Sequence, residues 1–195
     1  SHWTEEPMVY IVPHWNFKGL EGQNITVTVY TNCEELELFL NGKSLGRKQI
    51  EKYGHGEWNV PYACGILKAS GYRDGKLAAE AERVTTGKPE ILRLTLDNEF
   101  KANGKDIALF TCMCLDGEGR MVPDAAEYVR FSVSSDAVII GTGSDNCDHK
   151  SVTSTERKMY MGKIRVAVKP RKNSEEFTLY AFSDNCGITA LQVKC

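Results

Sequence analysis

Glu35-Leu36-Glu37-Leu38-Phe39-Leu40-Asn41-Gly42-Lys43-Ser44-Leu45 is the stretch that decides the fold. Leu36, Leu38 and Leu40 recur at every second position, against the acids Glu35 and Glu37. That period puts one row of side chains into a core and the other into water, as in a half-buried strand. Asn41-Gly42 follows at once. Both residue types accept the positive φ angles of a two-residue hairpin turn, so Lys43-Ser44-Leu45 starts the returning strand. Upstream, Asn24 to Tyr30 reads N-I-T-V-T-V-Y, with Ile25, Val27 and Val29 on one face. Downstream, the spacing predicts strands over 57–62, 66–72 and 77–84, with Arg73-Asp74-Gly75-Lys76 as a tight turn between the last two. The segment Lys76 to Arg83 is alanine-rich and the single helical candidate. It is short, follows a turn and falls where a sandwich needs its last strand, so it reads as a strand. With Met8 to Val12, residues 8–86 hold about seven strands, with turn signals at the spacing of a sandwich.

Thr86-Gly87-Lys88-Pro89 has the composition of a linker, since Gly87 relaxes the backbone and Pro89 has no amide hydrogen. The period of two then resumes over 91–96, 106–115, 129–133, 137–140, 162–168, 176–182 and 188–193, with a turn at Asp116-Gly117-Glu118-Gly119. The expectation is an all-β chain of two tandem immunoglobulin-like β-sandwich domains, residues 1–87 and 90–195.

Composition narrows the function classes. The 195 residues are 42% hydrophobic and 26% charged, with a formal net charge of −2. Nucleic acid is a poor partner for such a chain, because phosphate binding needs a concentrated basic surface. The one basic cluster, Lys169-Pro170-Arg171-Lys172, reads as a solvated turn. No apolar run approaches the ~20 residues that cross a bilayer. The seven cysteines are odd in number and form no disulfide framework. Free thiols favour a cytoplasmic setting over a periplasmic or secreted one. Asn24-Ile25-Thr26 fits a glycosylation acceptor, a triplet that arises easily by chance. No secretion signal is visible at Ser1, and Trp3 and the Met8–Val12 strand stand close to it. That reads as a piece of a longer chain.

Several constellations tempt a chemical reading. Asn98-Glu99 has the form of a glycosidase acid/base pair, yet that chemistry needs a second carboxylate about 5 Å away on a fixed scaffold. Here the pair ends a strand and leads into Ala102-Asn103-Gly104, so it reads as a turn. Cys112 and Cys114 lie on one strand face, but a zinc site needs further ligands, and the nearest are Cys147 and His149 in another loop. They read as buried thiols. The polar loop Gly141 to His149 lacks the glycine and distal glutamate of a calcium-binding EF-hand loop and reads as a surface turn. No metal, cofactor or catalytic set is expected. Trp15, Asn16 and Phe17 are the candidate carbohydrate contacts, since aromatic faces stack on pyranose rings; the alternative is packing at the edge of a core.

Four stretches taken together resemble a known family. They are Pro7-Met8-Val9-Tyr10-Ile11-Val12-Pro13-His14-Trp15-Asn16-Phe17, then Val29 to Cys33 leading into Leu38 to Gly46, then Trp58 to Tyr62 with Gly65 to Ala69, and finally Gly104 to Ala108 with Val122 to Ala125. Their order and spacing are similar to the C-terminal region of glycoside hydrolase family 2 enzymes of the β-galactosidase type. The resemblance implies two sandwiches that follow a catalytic barrel. The parent would be a retaining glycosidase using two glutamates, neither of which maps onto this sequence. It also implies a role in packing on the barrel, shaping its cleft or forming the enzyme's homo-oligomer interface. A carbohydrate-binding module and a structural or adhesion pair of sandwiches are the rival readings.

Overall fold

The computed structural model describes residues 4–145 and 148–195. Trp3, and Asn146 and Cys147 of the polar loop, lie outside the described residues. Among the described residues every regular element is a β-strand, and the chain divides into two compact units, Ser1–Thr85 and Thr86–Cys195.

The first unit holds β1 (Val9–Val12), β2 (Asn24–Thr31), β3 (Glu35–Leu40), β4 (Lys43–Gln49), β5 (His55–Pro61), β6 (Ile66–Arg73) and β7 (Lys76–Val84). One sheet runs β1-β2-β5 and the other β4-β3-β6-β7, antiparallel throughout. The alternation seen in the sequence is the alternation of burial. Val27 and Val29 of β2, Leu36 and Leu38 of β3, Trp58 and Val60 of β5, and Leu67 and Ala69 of β6 close one core. Asn41 and Gly42 take φ of 50° and 79°, and Asp74 and Gly75 take 50° and 71°. Both pairs are thus mirror-image turns whose twist matches that of the strands they join. Asn41 also braces a second connection. Its side chain accepts from the Ile66 amide (2.8 Å) and donates to the Cys64 carbonyl (3.0 Å). Gly65 lies beneath it at φ 134°, where an added Cβ would fall 1.8 Å from the Asn41 oxygen.

The second unit holds β8 (Ile91–Leu96), β9 (Ala108–Leu115), β10 (Tyr128–Val133), β11 (Ala137–Gly143), β12 (Glu156–Lys158), β13 (Lys163–Pro170), β14 (Glu176–Ser183) and β15 (Gly187–Lys194). Its sheets run β11-β13-β9-β8 and β12-β10-β14-β15. Phe110, Phe131, Phe177, Ile164, Val166, Leu179 and their neighbours fill the space between them. β9 starts two residues later than its apolar pattern. Asp106 is held in the preceding turn, where its carboxylate accepts from the Lys101 amide (3.1 Å) and from Asn103 (2.8 Å). The short strand β12 is absent from the sequence-based expectation. Its residues are Glu156, Arg157 and Lys158, with no apolar period to betray it.

The segment expected as a linker belongs in part to the second unit, because Gly87 donates its amide to the Asp116 carboxylate (2.9 Å). Asp116 is almost fully buried. Burial alone would raise its pKa. Hydrogen bonds from the amides of Gly87, Arg120 and Glu118 and from the Arg120 guanidinium outweigh that, and the carboxyl titrates at about 2.

Candidate functional site

Trp15 is 1% exposed. Its indole nitrogen donates to the Ala63 carbonyl (2.9 Å), and its ring meets Tyr62 (5.1 Å between centroids) and Phe17 (6.1 Å) edge-on. Phe17 in turn stacks on His14 at 4.9 Å. The Trp15 carbonyl accepts the Thr85 hydroxyl (2.7 Å), which ties this cluster to the end of the unit. Asn16 is buried as well. The structure therefore brings Trp15, Asn16 and Phe17 together as packing, and the Trp15 ring offers no open face to a sugar. The sequence pattern carried no means of distinguishing the two, since a large amphipathic ring suits either place.

Asn98-Glu99 is a brace in a turn. The Asn98 side chain donates to the carbonyls of Glu99 (2.9 Å) and Ile107 (3.0 Å) and accepts from the Leu109 amide (2.7 Å). Cys112 and Cys114 are fully buried in the second core. Burial, and next the neighbouring Cys186, pushes the Cys112 thiol up to about 12. Among the described residues no three histidine, cysteine or acidic side chains are grouped to hold a metal ion.

The polar loop is organised around a residue that motif reading passed over. Arg157 on β12 is 1% exposed. Its guanidinium donates to the Thr142 carbonyl (2.7 Å) and hydroxyl (3.1 Å), to the Ser151 carbonyl (2.8 Å) and to the Asp148 carboxylate (2.6 Å). Asp148 also accepts from the Lys150 amide (2.9 Å). That amide first, and Arg157 next, hold the Asp148 carboxyl below its usual range. A guanidinium satisfied on this many sides ties the end of β11 to Asp148 and to the Ser151 carbonyl. The sequence offered no periodic signal for Arg157, because Glu156, Arg157 and Lys158 are all charged.

Beside this loop the second unit opens into a concavity of about 630 Å³. Tyr128, Tyr160 and Met161 line it, together with Asp124, Asp148, Lys150 and Lys158. All three of the first group are more than half exposed. The Lys150 and Lys158 ammonium groups lie 5.7 and 5.9 Å from the centre of the Tyr128 ring. The concavity thus combines exposed aromatic rings with hydrogen-bonding groups of both signs. Met161 and Gly162 take φ of 48° and 70° in the turn that carries the chain from β12 towards β13, and this sets Tyr160 and Met161 at the rim.

Comparison with known proteins bears on both units. Residues 92–192 match the family described as glycoside hydrolase family 2 C-terminal domain 5. Residues 22–79 match a domain of unknown function, DUF4982. The chain is 34% identical over 198 residues to the beta-galactosidase BoGH2A of Bacteroides ovatus, covering 99% of this chain and 23% of that protein. It is 32% identical over 184 residues to a beta-glucuronidase of Formosa agariphila, covering 92% of this chain and 18% of that protein. A crystal structure of a glycosyl hydrolase family 2 member from Bacteroides cellulosilyticus superposes with a TM-score of 0.93 at 35% identity, over 98% of this chain and 29% of that one. The chain thus spans about a quarter or less of the length of the curated relatives it matches.

Proposed function

This chain belongs to the glycoside hydrolase family 2 C-terminal domain 5 family, and from that premise we propose that it serves as the non-catalytic C-terminal region of a β-galactosidase-like retaining glycosidase. In this reading its two immunoglobulin-like sandwiches pack on and support a catalytic barrel carried elsewhere in the same polypeptide. The observation that supports it best is the coverage, nearly all of this chain against 18–29% of its relatives. The local chemistry agrees. A retaining mechanism needs two carboxyl groups about 5 Å apart, and the one glycosidase-like pair here, Asn98-Glu99, is occupied in bracing a turn. The parent reaction is hydrolysis of terminal β-galactosides or related β-glycosides. The test is an assay of the isolated chain with 4-nitrophenyl β-galactoside and β-glucuronide, beside the same chain joined to its barrel. Turnover by the joined protein alone supports the reading, and enzyme-like turnover by the isolated chain ends it.

A second reading, carbohydrate contact by the chain itself, is favoured by the concavity at Tyr128 and Tyr160. Calorimetric titration with galactose, lactose and β-linked oligosaccharides checks it. Saturable heat that is lost in Tyr160→Ala supports a glycan contact there, and a flat response at millimolar sugar rejects it.

A further inference from the structure

The two sheets of the second unit bring a pair of thiols together. Cys114 lies on β9 of one sheet and is fully buried. Cys186 lies in the turn between β14 and β15 of the other sheet, partly buried against the same core. Although 72 residues separate them in sequence, their sulfurs are 3.5 Å apart. A disulfide holds its sulfurs about 2.05 Å apart, so roughly 1.5 Å of approach remains. One partner sits in a hairpin turn, where side-chain rotation with a small backbone adjustment can supply it. Gly187, at φ 69°, ends that turn.

We propose that Cys114 and Cys186 are a disulfide-forming pair, a covalent modification site that would staple the two sheets of the second sandwich. The oxidant is a low-molecular-weight disulfide of the glutathione class. Access sets the order of events. The more accessible Cys186 loses its proton, and its thiolate attacks the small disulfide. One S–S bond breaks, a mixed disulfide forms at Cys186, and one small thiol leaves. Cys114 then loses its proton and attacks the Cys186 sulfur, which expels the second small thiol. Both electrons of the new bond's formation end on the two released thiols. Burial holds the Cys114 thiol well above the ordinary range, so the second step speeds up as pH rises. Cys112 is the built-in competitor, because it is buried on the same strand and interacts electrostatically with Cys186.

The experiment equilibrates the whole chain in glutathione buffers from fully reduced to fully oxidised, quenches it with acid, alkylates it and maps its peptides by mass. A cross-linked Cys114–Cys186 peptide, two hydrogens lighter than the sum of its parts, is expected in the oxidised buffers. The thermal midpoint of the second unit should rise with it, by on the order of 10 °C for a loop of this length. Cys186→Ser and Cys114→Ser each abolish the peptide and the shift, while Cys112→Ser leaves both in place. Cys186 is only partly buried, so its variant keeps the test sound if Cys114→Ser folds poorly. Alkylation of both thiols in the folded, oxidised chain overturns the proposal. So does a Cys112–Cys186 peptide, or a glutathione adduct on Cys186 that Cys114 never resolves.

Discussion

The two sandwiches reach a closed core by different chemistry. In the first unit the core is aromatic and aliphatic, built on Trp15, Trp58 and Tyr62 among leucines and valines. Its buried polar residues are the uncharged Asn16, Thr31 and Ser70. The second unit buries phenylalanines and cysteines, and with them the charges of Asp116 and Arg157. A neutral core is stabilised mainly by area removed from water and responds to shape. A core margin held by satisfied charges responds to pH and to loss of a partner. The same fold class therefore carries two sets of vulnerabilities.

The largest effect expected is on shape in the first unit. Trp15→Ala leaves a large void and strands the Ala63 carbonyl, at a cost of about 4 kcal/mol. Denaturant unfolding followed by amide NMR should show the first unit melting early and the second unchanged. Loss of both together would break the comparison. Next is Arg157→Met, which unpairs Asp148 and the carbonyls of Thr142 and Ser151, at about 3 kcal/mol. This loss should be confined to the second unit and shown by faster hydrogen exchange at Thr142 and across the loop after it. Gly65→Ala follows, at about 2 kcal/mol, because it strains a positive φ and displaces the Asn41 brace. A urea midpoint for the first unit reads it directly. Comparable in size to the Gly65→Ala loss, but spread over a range of pH, is acid sensitivity. The Asp116 carboxyl is depressed in the folded state, so its contribution is fully present above the unfolded value of about 3.9 and is lost as pH falls towards about 2. Stability of the second unit should decline over that window, and Asp116→Asn should flatten the decline. In the first unit Glu80 is also held low, by Lys68 and then Ser70. That pair is about a third exposed, and solvent screening discounts its weight. An equal acid slope in both units would sink the distinction.

Strands with a clean apolar alternation were legible in the sequence, as were the turns at Asn41-Gly42 and Asp74-Gly75, because both signals are local. β12 was not, since a strand of three charged residues has no period. It pairs with β10, and one of its residues, Arg157, binds five protein oxygens of the preceding segment, residues 142–151. The same limit governs the site residues. Trp15, Asn16 and Phe17 are neighbours along the chain and were easy to single out; Trp15 and Asn16 are buried, and Phe17 is partly buried against the same core. Tyr128, Tyr160 and Asp148 meet only once β10, β12 and the polar loop are in place. Cys112 and Cys114 were visible as two thiols on one face, but Cys186 comes to Cys114 through the pairing of sheets.

β4 stands at the edge of its sheet, with a row of backbone groups turned to solvent. It carries Lys43, Arg47 and Lys48 within seven residues. A bulge against β3 falls at Leu45-Gly46, where Gly46 takes φ 104°. Any incoming strand would have to lie flat along it, pass the exposed Lys43, and match a register that the bulge has broken. The edge that completes the sheet is thereby guarded against edge-to-edge aggregation.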